Sequence, residues 1–352
     1  MSKMFKIGDI SCPINSGDKI TATIPKDDGT PDVIDFPVNL VPKPFKYILE
    51  ADENEDYARD ALYAAAAGRH ARLCGPKGTG KTTTIAFLAH QTNNPLVNIQ
   101  LNGATGLDAL VGKWLVNEKG TYWVDGPLTM ACKYGFWVIL DELNMALPEI
   151  VAVLHPVLDD RRVLLLEEKG SDPKTCVIPV HPNTRFFAAI NPTEDYAGTK
   201  EMNQALEDRF GVKLDVGYPN ARKERDIVLA YPGVGIDDKL QKSVKGGQRG
   251  TKEGIITRMV KCANSFRTLH GENKLPFECS TRNLIEWAIA CKYMPVHKAA
   301  AITLVASAEN DIGTRKIIWD EINVHFKPDE QWLEGNEATS QTAEETADLS
   351  QL

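Results

Sequence analysis

The sequence predicts an α/β fold: a parallel sheet flanked by helices, preceded by a small β-rich appendage and followed by a helical lid. Three observations carry this expectation. Between about residues 46 and 218, short apolar runs alternate with segments of helical period, as parallel strands alternate with crossover helices. From about 219 to 327 the apolar spacing is mainly helical. Residues 1–45 instead hold "KITATIP" and "VIDFPVNL", two strand-like runs around the turn-forming "KDDGTPD".

Taken in order, "PKPF" reads as a linker out of the appendage, and the sheet's apolar strands are "ARLCG", "LVNIQL", "FWVILDE" and "RFFAAIN". The first strand runs into Gly-x-x-x-x-Gly-Lys-Thr, from Gly75 to Thr82. Glycines at 75, 78 and 80 let the backbone turn its N–H groups inward around phosphate oxygens. Lys81 can place a charge at the β and γ phosphates, and the Thr82 hydroxyl can ligate Mg²⁺. "KTTTIAFLAHQ" follows with Ile85, Leu88 and Ala89 at helical spacing, so a helix N-terminus faces the anion. Gly75, Pro76, Lys77, Gly78, Thr79, Gly80, Lys81, Thr82 and Thr83 are therefore the expected nucleotide-binding residues.

The helical part contains "ARKERDIVLAY", "GIITRMVKCANSFRTL", "STRNLIEWAIACKYM" and "HKAAAITLVASA", with "KGGQRGTKEG" as an expected mobile loop. Composition is that of a soluble globular chain, with 43% hydrophobic and 25% charged residues. The sequence has neither an apolar run of membrane-spanning length nor a signal-peptide core, which predicts a cytoplasmic protein. Seven cysteines without a C-x-x-C pair predict reduced thiols, with Cys74 a small buried filler. The net charge of −8 sits largely in residues 328–352, which hold seven carboxylates and no Lys or Arg and read as a disordered tail. No concentrated basic face argues for nucleic acid.

The strand "FWVILDE" ends in Asp141-Glu142, about 60 residues after the loop. At that strand end Asp141 can hold Mg²⁺, and Glu142 can polarise a water for attack on the γ phosphate. Solvated surface carboxylates are the alternative. "TRFFAAIN" ends in Asn191, whose amide could orient that water, although Asn-Pro is also a common turn. Arg209 follows Glu207 and Asp208, and a structural pairing with those acids is open. Arg282 stands in a helical first turn, where a cation needs a nearby anion; Glu286, one turn on, could serve.

In this order the motifs resemble an AAA+ ATPase over roughly residues 46 to 325: Walker A at 75–82, Walker B at 136–142, sensor 1 at Asn191, arginine finger at Arg209 and sensor 2 at Arg282. The segment "GLDALVGKWLVNEKGTYWVDGPLTMACKYG" resembles the helix-2 insertion of the MoxR type. A hairpin before sensor 1, with its strands on either side of "EEKGSDPKT", resembles the second MoxR insertion. Within that clade "VHPNTRFFAAIN", "MNQALEDRF" and "CSTR" look closest to the CobS-like ATPase subunit of aerobic cobaltochelatase. The resemblance implies Mg²⁺-dependent ATP hydrolysis at sites shared between subunits of a homo-oligomeric ring, most often a hexamer. Arg209 would come from the neighbouring copy, and Arg282 would link nucleotide state to the lid. It also implies a protein client or a von Willebrand A-domain adapter, with a chelatase role as the narrower alternative and a nucleic-acid motor as a distant one. Lys113, Trp114, Tyr122 and Trp123 on the first insertion could grip a polypeptide, or pack their own hairpin.

Overall fold

In the computed structural model, the described residues are 3–15, 21–25, 31–35, 40–50, 56–118, 120–170, 172–192, 202–234, 252–308 and 311–327. Contacts divide the chain into two compact units, Met1–Gly217 and Tyr218–Leu352. The expected acidic tail lies outside the described residues, as does most of the expected loop "KGGQRGTKEG", whose last residues open a helix at Lys252.

The first unit begins with two antiparallel hairpins. β1 (Met4–Ile7) pairs with β2 (Ile10–Pro13), and β3 (Thr21–Pro25) pairs with β4 (Pro31–Asp35). β3 falls within the expected run "KITATIP", whereas β4 begins at Pro31 inside the expected turn "KDDGTPD" and shares only Val33, Ile34 and Asp35 with "VIDFPVNL", of which residues 36–39 lie outside the described residues. The first buries Ile7 and Cys12 in the same core as helix α1 (Tyr57–Ala66). Asp56 caps α1 by accepting from the Ala58 N–H at 2.9 Å, and small residues on one face (Ala58, Ala61, Ala64, Ala65) let it pack closely.

The remaining elements build the sheet. β5 (Ala71–Cys74) leads through the Gly-rich loop into α2 (Lys81–Gln91), and β6 (Leu96–Gln100) leads to α3 (Leu107–Val111). An antiparallel hairpin follows, β7 (Gly112–Asn117) with β8 (Gly120–Asp125), then α4 (Pro127–Tyr134), β9 (Trp137–Asp141) and α5 (Pro148–Leu158). A second hairpin pairs β10 (Val163–Leu165) with β11 (Val177–Pro179) around α6 (Pro173–Cys176). The unit ends with β12 (Arg185–Ile190), α7 (Gln204–Glu207) and β13 (Val212–Asp215).

Five strands form one parallel sheet in the order β13–β5–β12–β9–β6. The central strands are buried on both faces, as continuous apolar runs require: β9 is buried from Trp137 to Leu140 and β12 from Phe186 to Ile190. The register sets Ala189 against both Leu73 and Asp141. The carboxyl ends of β5, β12 and β9 therefore finish side by side, where open parallel sheets bind ligands.

The second unit is helical: α8 (Ala221–Ala230), α9 (Lys252–Gly271), α10 (Thr281–Ala290), α11 (Val296–Thr303) and α12 (Ile312–His325). Its core centres on Phe266, Trp287, Ile318, Ile322 and Phe326, with the Trp287 and Phe326 rings edge-to-face at 5.5 Å. One polar clamp crosses this core. Glu224 of α8 is fully buried and takes two hydrogen bonds from Arg267 of α9, at 2.7 and 2.8 Å. The Thr281 hydroxyl donates to the same carboxylate at 2.6 Å, and the guanidinium lies 3.8 Å over the Tyr218 ring. Removing one member leaves the other charge buried and unpaired. Glu224→Gln is expected to cost about 3–5 kcal/mol of stability, read as a lowered urea midpoint for the helical unit. An unchanged midpoint would mean the pair is not holding these helices.

Candidate nucleotide site

The loop after β5 has the geometry of an anion cradle. Gly78 (φ 75°) and Gly80 (φ 95°) are left-handed, a conformation that glycine adopts without steric cost. Gly75 is required for another reason: a Cβ there would lie 1.9 Å from the Val216 carbonyl oxygen. The first turn of α2, with Lys81, Thr82 and Thr83, presents the positive end of the helix dipole to the cradle, and the Gly80 N-cap supplies no side-chain cap. Thr79 ties the loop to itself by donating to the Pro76 carbonyl at 3.0 Å, while Lys77 is exposed.

Lys81 is nearly buried (8% exposed). Its ammonium donates to the carbonyls of Gly75 (2.7 Å) and Pro76 (2.8 Å) and to Asn191 Oδ1 at 3.1 Å. Strand order thus brings together residues 110 positions apart, because β12, which ends just before Asn191, lies beside β5.

On the other side of β12, β9 delivers Asp141 and Glu142. Burial, and then the charge of Glu142, push the Asp141 carboxyl above the ordinary carboxylate range. The Glu142 N–H, the Lys81 ammonium and the Thr82 hydroxyl, which bonds to it, oppose that shift. Mg²⁺ takes oxygen ligands and is usually held by one or two carboxylates plus substrate phosphates. A hydroxyl and a half-buried carboxylate in contact are a donor pair that fits this ion. Glu142 itself adopts a left-handed backbone (φ 55°, ψ 39°), a conformation uncommon outside glycine, while its N–H donates to the Ala189 carbonyl at 2.8 Å. Such strain is concentrated at functional turns.

Arg209 is placed elsewhere. Its guanidinium bonds to the carbonyls of His155 (3.3 Å) and Ala205 and stands 3.7 Å from the Asp159 carboxylate, against the C-terminal end of α5. The acids beside it in sequence have other partners: Glu207 pairs with Arg72 at 2.6 Å and with Lys213, which also approaches Asp208. Local pairing with Glu207 and Asp208 therefore does not account for Arg209. Its side chain is 25% exposed and is not gathered into the loop cluster. Arg282 is exposed in the first turn of α10 and, among the described residues, makes no ion pair with Glu286.

Two groups escaped the sequence reading. Tyr47 and Tyr57 both hydrogen-bond the Thr84 hydroxyl at 2.7 Å, and Tyr57 also donates to the Thr79 carbonyl at 3.3 Å, bracing the loop from behind. The local signal was the third threonine of "KTTT", Thr84, which alone of the three is buried. Asn144 lies just past Glu142 and donates to the Asn191 carbonyl at 3.3 Å. A polar residue inside the otherwise apolar turn "LNM" could have flagged it. The thiol of Cys74 is half-buried and pushed up by that burial, which suits a filler rather than a nucleophile.

Comparison with known proteins places this geometry. Residues 70–210 match the AAA domain of the dynein-related subfamily, and residues 244–324 match the CbbQ/NirQ/NorQ C-terminal domain. The chain is 33% identical over 204 residues to Protein CbbQ of Hydrogenophilus thermoluteolus, spanning 56% of this chain and 73% of that protein. It is 32% identical over 241 residues to Protein NorQ of Paracoccus denitrificans, spanning 66% and 84%. With the gas vesicle ATPase GvpN of Ancylobacter aquaticus it shares 31% over 216 residues, spanning 56% and 59%. The first match runs from the strand before the phosphate loop through Arg209, and the second contains Arg282. An AAA domain on a five-stranded parallel sheet, joined to that C-terminal domain, makes this chain an ATP-hydrolysing enzyme that belongs to the MoxR-type AAA+ ATPases.

Proposed function

We propose that this chain is a ring-forming ATPase of the cytoplasm that couples ATP hydrolysis to the remodelling or activation of a protein client. The observation that carries this reading is the division of the site. Lys81, Thr82, Asp141, Glu142 and Asn191 gather at the carboxyl ends of three adjacent strands, while Arg209 is held apart at the end of α5. In this assignment the loop amides and Lys81 bind the phosphates, and Thr82 and Asp141 would hold Mg²⁺, which would supply neutralisation of phosphate charge. Glu142 takes the proton of the attacking water, and Asn191 orients that water. Arg209 completes the site of a neighbouring copy, and Arg282 reports nucleotide state to the helical unit.

The β7–β8 hairpin supports a grip on a polypeptide, directly or through a von Willebrand A-domain adapter. Trp114 packs edge-to-face on Trp123 at 5.6 Å and donates to the Glu168 carbonyl at 3.0 Å, yet stays 47% exposed, so its ring both braces the hairpin and remains open to a partner. Strand pairing places Lys113, Leu115, Tyr122 and Val124 on the opposite face, where Tyr122 is 40% and Val124 39% exposed. An ATPase subunit of a cobalt or magnesium chelatase is the narrower version, supported by "MNQALEDRF" and "CSTR".

Light scattering with and without ATP tests the ring, together with turnover per chain across a concentration series. Turnover per chain is expected to rise with concentration and to level off as large particles form. Full turnover by a strict monomer at micromolar concentration would remove the shared site. Tyr122→Ala is expected to weaken client capture while leaving basal ATPase unchanged.

A further inference from the structure

We propose that Asn144 is a positioning residue for hydrolysis, coupling the turn that carries Glu142 to Asn191 and, through Asn191, to Lys81. This inference rests on the reading of those three residues given above. Asn144 sits in the short 3-10 turn Leu143–Met145 that follows the left-handed Glu142, and it is 7% exposed. The turn is closed on itself by the Met145 N–H donating to the Glu142 carbonyl at 2.8 Å. From it the Asn144 Nδ2 reaches the main-chain carbonyl of Asn191 at 3.3 Å. The Asn191 side-chain oxygen in turn takes the Lys81 ammonium at 3.1 Å. One amide thus connects the turn bearing the proposed base to the residue bonded to the phosphate-binding lysine.

Stability does not explain this choice of side chain. Among the described residues the buried Asn144 Oδ1 has no hydrogen-bond partner, and a buried unsatisfied carbonyl costs folding free energy. An aliphatic side chain of similar volume would remove that cost. The Asn191 carbonyl would lose its amide partner, but Asn191 is only half-buried, so water can replace it. What an aliphatic residue cannot do is hold Asn191 in place. Asn144 therefore contributes geometry at the expense of stability, a trade expected at a functional site.

The test uses Asn144→Leu in the full chain, with steady-state ATPase, binding of a fluorescent ATP analogue and thermal melting. The melting temperature is expected to hold or rise, and nucleotide affinity to stay within about threefold, while kcat falls on the order of 10- to 100-fold, as misplacement of reacting groups does. Asn144→Asp, which keeps a polar side chain but cannot donate to the carbonyl when ionised, is expected to lose kcat similarly. Asn191→Ala combined with Asn144→Leu is expected to lose no more than Asn191→Ala alone, because one residue acts through the other. An unchanged kcat, a kcat that falls in step with melting temperature, or fully additive losses would each overturn the proposal. Glu142→Gln assayed alongside keeps the two readings distinct: if it retained turnover, the base would be reassigned, whereas Asn144 stands or falls on its own kcat and on the double variant.

Discussion

Glu142→Gln is expected to lower ATP turnover by about 10²–10⁴-fold, the usual contribution of a positioned general base, while ATP still binds. The substitution keeps the side chain's size and places the same demand on the left-handed backbone at 142 (φ 55°), so the turn itself is preserved. The loop contacts of Lys81 do not involve Glu142. Removing its charge also relieves Asp141, whose carboxyl is pushed up by burial and then by that charge. The Thr82 hydroxyl and the Asp141 carboxylate, assigned here to the metal, are left in place. Single-turnover hydrolysis and binding of a labelled nucleotide, measured on the same preparation, separate the two effects. Turnover within a few-fold of the parent would reassign the base, and lost binding would show that Glu142 shapes the pocket instead.

The second large effect is expected at Arg209. Arg209→Ala should reduce hydrolysis by about 10³–10⁵-fold, the range for an arginine finger, without changing nucleotide affinity. The side chain also ties the end of α5 to α7 through the His155 and Ala205 carbonyls, and thermal melting controls for that loss. The decisive measurement mixes Arg209→Ala with Glu142→Gln. A chain lacking the arginine still offers an intact base, and a chain lacking the base still offers its arginine to the next copy. In a randomly mixed head-to-tail ring about a quarter of the seams combine the intact halves, so activity should reappear on mixing two nearly inactive proteins. If the mixture is no faster than the mean of its parts, Arg209 does not act across a seam.

The same residues show how far local sequence carries. The loop was legible because its chemistry is short-range: Gly78 and Gly80 supply left-handed turns, and an apolar strand and a helix of period 3.6 flank them. Asp141 and Glu142 were legible from the apolar run that precedes them, whereas the β7–β8 and β10–β11 hairpins were legible only through the resemblance of their segments to the MoxR-type insertions. The first hairpin was not singled out, since its brief strands, four residues each, give little periodic signal. Tyr47 and Tyr57 carried no motif; they reach Thr84 only after the chain folds back over the loop. The alternative pairing of Arg209 with Glu207 and Asp208 was reasonable from adjacency, but Arg72 and Lys213 occupy those acids through strand packing.

The sequence by itself determined the phosphate cradle, the acidic strand end and the division into an α/β part and a helical part, because each depends on backbone preferences and periodicity within a few turns of chain. Only the tertiary structure decided that β12 runs between β5 and β9, setting Asn191 on Lys81 and Asn144 on Asn191, and that Arg209 is held at the end of α5. Those contacts join residues tens of positions apart, and their geometry follows from strand order and register, which no local stretch encodes.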